Sequence, residues 1–179
     1  MSLAIRAATP DDCTRIAEIY APAVTHGTSS FELVPPNSEE MAQRMQALTT
    51  AGFPYLAAER AGAVVGYAYA GPYRTRPAYR FTVENSVYVA PEAQRSGVGR
   101  TLLTALIETC ARRGFRQMIA VIGDSPNQPG SIALHTACGF TAVGRLPDVG
   151  FKFGRWLDTL LMQRTLGEGK IGPLEDTSL

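Results

Sequence analysis

The chain has 179 residues, 45% of them apolar and 18% charged, with a net charge of +1. That is the composition of a globular fold with one sizeable core. It excludes a global basic field for nucleic acid or an anionic membrane, and no stretch approaches the roughly 20 apolar residues of a membrane span.

Leu3 to Ala7 alternates and reads as a first strand. Thr9-Pro10-Asp11-Asp12 starts a helix whose apolar face is Ile16, Ile19, Tyr20 and Ala23. Pro22 is expected to kink or end it. A polar loop, His26 to Glu32, and Pro35-Pro36 lead to a second helix from Ser38, with Met41, Met45 and Leu48 on one face and Gly52 as its stop. Tyr55 to Glu59 and Val64 to Ala70 read as strands joined by the turn Ala61-Gly62. Gly71-Pro72 breaks the second strand, and Arg74, Arg76 and Arg80 follow, interleaved with Tyr73 and Tyr79. A β-branched and aromatic strand occupies 80–89, and a helix runs from about Gly97 to Arg113. Gln117 to Ile122 is a central strand and Ser131 to Cys138 a short helix. Phe140 to Gly144 and Trp156 to Arg164 close the fold. The order is α/β or α+β with a mixed sheet and no internal repeat: one domain over 1–166 and a flexible tail over 167–179. The N-terminus is too short and polar for a signal peptide. Cys13, Cys110 and Cys138 are odd in number and widely spaced. They argue for buried thiols in a reducing cytoplasm, against a disulfide framework or a zinc site.

The chemistry concentrates between Val83 and Thr101. Pro91 ends the strand, and Gln94, Gly97 and Gly99 form Gln-x-x-Gly-x-Gly before the helical run Leu102, Leu103, Leu106, Ile107. Glycines at a helix start let a phosphate approach unpaired N–H groups where the dipole favours negative charge. The loop is not a P-loop, because no Gly-Lys-Ser/Thr follows. It is not the dinucleotide fingerprint either, because position 102 is Leu.

Gln94-Arg95-Ser96-Gly97-Val98-Gly99 at this junction resembles the acyl-CoA pyrophosphate loop of the GNAT acetyltransferase superfamily. Four segments resemble its phosphinothricin and methionine-sulfoximine N-acetyltransferases. They are Thr28 to Glu32, Tyr79 to Val89, Ile122 to Ser125, and Val149 to Asp158. The likeness covers roughly residues 3–166. It implies the GNAT acyl-CoA N-acyltransferase fold, a mixed, mostly antiparallel sheet flanked by helices. It implies acetyl-CoA as co-substrate, no metal, a small-molecule amino-acid analogue as acceptor, and a homodimer. Acetylating such analogues is a detoxification.

The resemblance also implies residue roles. Gln94, Arg95, Ser96, Gly97, Val98, Gly99, Arg100 and Thr101 cradle the pyrophosphate. Backbone groups of Val87, Tyr88 and Val89 pair with pantetheine, one N–H polarising the thioester carbonyl. Glu84, three residues earlier, suits a general base for an ammonium nucleophile. Read from spacing alone, it is equally a solvent-facing glutamate or a partner of Arg80. His135 stands where many superfamily members place a proton-donating Tyr, and can act as acid or base; the bland alternative is a packed helix His. Tyr88 is a second candidate acid. Asn127 and Ser131 correspond to a pantetheine-binding pair, but Asn127-Gln128-Pro129-Gly130-Ser131 is one residue longer than the family spacing, which leaves the reach of Asn127 open.

Arg74 and Arg76 suit the oxygens of the acceptor bidentately, or are solvated loop residues. Tyr79 lies beside them, and Phe31 and Glu32 wall the acceptor pocket. Lys152, by the resemblance, reaches the site of a partner subunit; on sequence alone it is one charge in an apolar turn. Two other readings stay open. One is a GNAT enzyme for a protein N-terminus or another amine such as a polyamine. The other is a non-catalytic acyl-CoA sensor.

Overall fold

The computed structural model describes residues 2–167. Its seven strands are β1 (Leu3–Ala7), β2 (Tyr55–Arg60), β3 (Ala63–Pro72), β4 (Thr82–Val89), β5 (Gln117–Gly123), β6 (Thr141–Lys152) and β7 (Arg155–Thr165). They form one sheet in the order β1-β2-β3-β4-β5-β7-β6. The helices are α1 (Cys13–Thr25), α2 (Ser38–Thr50), α3 (Val98–Arg112) and α4 (Pro129–Ala137). Each antiparallel neighbour except β5–β7 follows directly in sequence. The parallel pair β4–β5 needs a crossover, and α3 supplies it.

Strand alternation assigns the faces. Val83, Asn85, Val87 and Val89 project to the side of α3 and α4, and Glu84, Ser86 and Tyr88 to the side of α1 and α2. Tyr88 meets Tyr20 of α1 edge-on at 4.8 Å. On the opposite face a Cβ at Gly66 would touch Leu102 and Val98 of α3. Ile16, Ile19 and Val24 of α1, Met41 and Met45 of α2, and Val98, Leu102, Leu103 and Leu106 of α3 are buried against the sheet. Burying a side chain of this kind contributes about 1.5–3 kcal/mol. The three cysteines are free and buried.

The chain departs from its sequence reading at several places. Pro22 does not end α1, which continues to Thr25. A proline removes one ladder hydrogen bond, and here Val24, just beyond it, is buried and holds the last turn. Helix α4 begins at Pro129, two residues early, with proline in its first turn. Strands β6 and β7 are much longer than expected. They meet at a two-residue turn, Phe153-Gly154, with φ of 52° and 73°. Pro147 and the register shift between Leu146 and Gly150 interrupt the alternation that marks a strand, and an edge strand tolerates both. The expected tail lies, after Gly167, outside the described residues. No helix among the described residues is long and apolar enough to cross a membrane.

Candidate active site

The β4–β5 pairing covers only Thr82–Asn85 against Gln117–Ala120. Beyond it β4 stays on β3, to the pair Gly66–Val89, and β5 stays on β7, to the pair Gly123–Thr159. Each strand follows its outer neighbour, so the two part. The gap is a cleft of about 360 Å³ bounded by residues 85–89 of β4, 120–123 of β5, Gln128, Ser131 and His135.

Backbone direction follows from one bond. Ala90 N–H goes to Val65 O on the β3 side, 3.0 Å away. Alternation sends Tyr88 the same way and turns the backbone groups of Val87 and Val89 to the cleft. The Val89 carbonyl there receives the Gln94 side-chain amide at 3.4 Å. Of the three expected backbone contacts, Val87 and Val89 therefore face the opening and Tyr88 does not. The Tyr88 phenol packs on Tyr20 and Tyr67 instead, and burial pushes its pKa well above the ordinary value.

The cleft ends at the turn before α3. Gly97 has a φ of +88°, a conformation that disfavours any side chain. The first-turn N–H groups of Val98, Gly99 and Arg100 have no intrahelical acceptors. Val98 contributes backbone alone, because its side chain is in the core. Gln94, Arg95, Ser96 and Arg100 are exposed around this turn. Thr101 is spent on the Gly97 carbonyl, at 3.1 Å. Arg60, from the end of β2, adds a cation by donating to Ser96 Oγ at 3.3 Å.

Glu84 lies at the root of the cleft but on the opposite face, toward α1 and α2. Burial raises its pKa, and Arg74 pulls it back part way. As the general base that the resemblance implies, Glu84 would work as the carboxylate, and activity should then fall as pH drops through this raised value. The acid limb of kcat/KM should lie above the ordinary carboxylate range, and Arg74→Ala should move it higher still. A pH–rate series on both proteins checks this. Arg80 is not its partner: the guanidinium lies 4.6 Å from the Phe81 ring centroid and donates to Pro77 O. Arg74 stacks on Tyr73 at 5.1 Å, and Tyr79 meets the same ring edge-on at 5.7 Å. Arg76 is exposed.

His135 lines the cleft from α4. Its Nδ1 is 2.8 Å from the Ser131 carbonyl, and its Nε2 is 3.0 Å from the Asn85 amide nitrogen. Burial lowers its pKa. The amide of Asn127 instead donates to both oxygens of Asp124, at 3.2 and 3.0 Å, and Gln128 lines the cleft. The extra residue before Ser131 thus places the neighbour of Asn127 at the wall.

On the α1–α2 side, residues 26–32 are strapped over the ends of β5 and β7. Thr28 donates to Asp124 at 2.7 Å, and Arg155 forks onto the same carboxylate at 3.1 and 2.5 Å. Arg155 holds Asp124 down to a pKa of about 2. Lys152, 3% exposed, donates to the carbonyls of Gly27 and Ser30 at 2.9 and 2.7 Å. Its ammonium is thus committed to its own chain's loop. The Phe31 ring lies against Gly123 and Gly150, where a Cβ at either position would collide with it. Glu32 accepts both guanidinium nitrogens of Arg44, at 2.7 and 3.1 Å, and the Tyr20 hydroxyl at 2.9 Å. Asn85, Gln128, Asp124 and Arg155 lie in segments singled out in the sequence, but none was given a role at the site. For Asn85 the signal was available: a polar residue in register with buried Val83.

Asp124→Asn keeps the shape and tolerates the left-handed φ of 52°. It should lower stability at pH 7 by about 1–3 kcal/mol. A depressed carboxyl contributes above its unfolded pKa and loses that contribution as pH falls through its folded one. The difference from wild type should therefore vanish between the ordinary 3.8 and about 2. Thermal melts across that range measure it.

A parted strand pair that leads into a glycine turn and a helix N-terminus defines a protein that takes an extended, phosphate-ended ligand between its strands. The chain belongs to the GNAT acetyltransferase family, whose profile, described as "Acetyltransferase (GNAT) domain", matches residues 5–161. It is 55% identical over 165 residues to a phosphinothricin N-acetyltransferase of Alcaligenes faecalis, covering 92% of this chain and 83% of that one. It is 40% identical over 166 residues to an L-methionine sulfoximine/L-methionine sulfone acetyltransferase of Salmonella typhimurium, covering 93% and 96%. A GNAT phosphinothricin acetyltransferase from Sinorhizobium meliloti, crystallised with AcCoA, superposes with a TM-score of 0.93 at 49% identity, covering 98% of this chain and 95% of that one.

Proposed function

We propose that the protein transfers the acetyl group of acetyl-CoA to the α-amino group of phosphinothricin, methionine sulfoximine or methionine sulfone. The observation that carries this reading is the parting of β4 from β5, with Glu84 at its root and the α3 N-terminus at its mouth. The relatives' names support the acceptor class.

The residues present fit acetyl-CoA: an open strand edge suits an extended amide chain, and a helix N-terminus suits a pyrophosphate. Backbone groups of Val87 and Val89, with Gln128 and Ser131 opposite, hold pantetheine; the turn 94–101, with Arg60, Arg95 and Arg100, holds the phosphates. Acetyl-CoA supplies the activated acyl group. Glu84 takes a proton from the acceptor ammonium, the amine attacks directly, and a backbone N–H of Val87 or Val89 stabilises the oxyanion. Arg74 and Arg76 bind acceptor oxygens, Tyr79 flanks them, and Phe31 and Glu32 shape the wall. Product amides lack the ammonium of the parent analogue, which is a detoxifying change.

The functional unit is one domain, residues 1–166. The three buried thiols suit the cytoplasm. The homodimer reading draws on the exposed apolar surface of β6 and β7, where Phe151, Phe153 and Trp156 are 57%, 56% and 64% exposed. The test is thiol release from acetyl-CoA with a panel of L-phosphinothricin, L-methionine sulfoximine, L-methionine sulfone, a peptide N-terminus and a polyamine. Turnover with the amino-acid analogues is expected. Release only with the peptide or polyamine, or with none, would sink this reading.

A further inference from the structure

Where β4 and β5 part, the last paired residue of β4 is Asn85, opposite Ala120. It is 7% exposed, and its side chain goes to the α4 face. Its partner is His135, 5% exposed, in the last turn of α4. The hydrogen-bond chain fixes the ring. A backbone carbonyl can only accept, so Nδ1, at 2.8 Å from Ser131 O, carries a hydrogen. Nε2 receives an Asn85 N–H at 3.0 Å and holds a lone pair. The ring is the neutral Nδ1–H tautomer, and in that state it has no proton for a leaving thiolate. The other end of the Asn85 amide is the anomaly. Its Oδ1 is buried and has no hydrogen-bond partner among the described residues. An unmade bond of this kind costs about 1–3 kcal/mol.

One rearrangement accounts for the oxygen. Half a turn about χ2 exchanges the amide's nitrogen and oxygen. The same side chain then accepts from Nε2–H of an imidazolium, and its oxygen gains the partner it lacks. We propose that Asn85 is the positioning residue that lets His135 hold and release a proton during acetyl transfer, by donating to the neutral ring and accepting from the protonated one.

This rests on the acetyltransferase reading above, and the protons balance. Glu84 takes one proton of the acceptor ammonium before attack. As the new C–N bond completes, the Asn85 amide turns, its N–H leaves the Nε2 lone pair, and the amine's second proton passes to Nε2. The C–S bond breaks with its electron pair on sulfur, Nε2–H protonates that sulfur, and the ring returns to neutral. The sum is one amide, one thiol and one proton released from Glu84 to solvent.

The surroundings suit a ring that changes charge only through this partner. Of the residues that line the cleft, His135 and Tyr88 are titratable, and the Tyr88 phenol is turned away onto Tyr20 and Tyr67. No carboxylate or fixed cation lines it. Phe140 packs edge-on against the imidazole, with centroids 5.0 Å apart. On α4 itself the nearest titratable group is Cys138, one turn on. Arg164 of β7 is engaged at that residue's carbonyl.

The test has two parts. In the ligand-free protein, ¹⁵N NMR of the His135 ring should report the Nδ1–H tautomer at neutral pH. Asn85→Asp, which can only accept, should raise the ring's titration midpoint by about 1–3 pH units. Asn85→Leu, which can do neither, should lower it. In turnover, Asn85→Leu should reduce kcat by about tenfold or more with the KM for acetyl-CoA within about threefold, and adding His135→Ala should cost little further because both changes act on one step. Asn85→Asp should shift the pH–kcat profile in the direction of its NMR midpoint. A wild-type kcat and pH profile in Asn85→Leu would overturn the proposal. So would a double variant that loses the product of the two single effects. If the Leu variant does not fold, an unchanged NMR midpoint in Asn85→Asp overturns it alone. The NMR titration needs no acceptor, so failure of the proposed acceptors to react is distinguishable from failure of the pairing.

Discussion

Glu84→Gln is expected to lower kcat by about 10²- to 10⁴-fold, the usual contribution of a general base. At about 1.4 kcal/mol per decade that is about 3–5 kcal/mol of transition-state stabilisation. Gln keeps the size of the side chain and its place between Gly71 and Ile119 in the register. It replaces the carboxylate proposed as the base by an amide, whose oxygen is too weakly basic to take a proton from an ammonium. Because Glu84 is not among the residues that line the cleft, acetyl-CoA binding should survive. Isothermal titration with CoA, beside thiol-release kinetics, separates the two effects. Equal losses in CoA affinity and in kcat would assign Glu84 a structural role; unchanged turnover would remove it from the mechanism.

Lys152→Met is expected to lower stability and to damage the acceptor side while sparing acetyl-CoA binding. The ammonium is buried, its pKa is pushed down by that burial, and it bonds two carbonyls of the loop that carries Phe31 and Glu32. Methionine fills similar space without a donor. Two buried acceptors then lack partners, at about 1–3 kcal/mol each. Together that is about 2–6 kcal/mol, so melting should fall by about 4–24 °C, at 2–4 °C per kcal/mol for a chain of this size. The loop should also shift. A displacement of about 1 Å can cost up to 10²-fold, so the acceptor KM should rise at least about tenfold while the KM for acetyl-CoA stays within about threefold. Wild-type melting together with a wild-type acceptor KM would show that the strap does not position the loop.

The same residue shows what a sequence reading misses. Lys152 finds its partners 125 and 122 positions away, and Thr28 finds Asp124 at a separation of 96. No local pattern announces such pairs. A lone charge between Phe151 and Phe153 reads as a turn residue until the loop is folded over it. Pro22 misled for the opposite reason: its local rule is strong, but burial of α1 against the sheet overrides it. Asn127 stands between. Its lengthened loop was visible as a departure, and the fold shows the outcome, with its amide turned to Asp124 and Gln128 at the cleft.

What the sequence determined by itself is the strand, turn and helix of Val83 to Thr101. Their causes are local: β-branched residues, Pro91, Gly97 and Gly99 act within a few positions of themselves. It likewise placed Glu84 on β4, three residues before Val87, because register within one strand is a matter of counting. The tertiary structure alone decided that β4 and β5 separate after Asn85 and Ala120. Strands part when each holds its outer neighbour more extensively than it holds the other. Here β3 and β7, which are distant in sequence, supply those outer edges. The same packing brings His135 against Asn85 and decides which ring nitrogen carries the hydrogen.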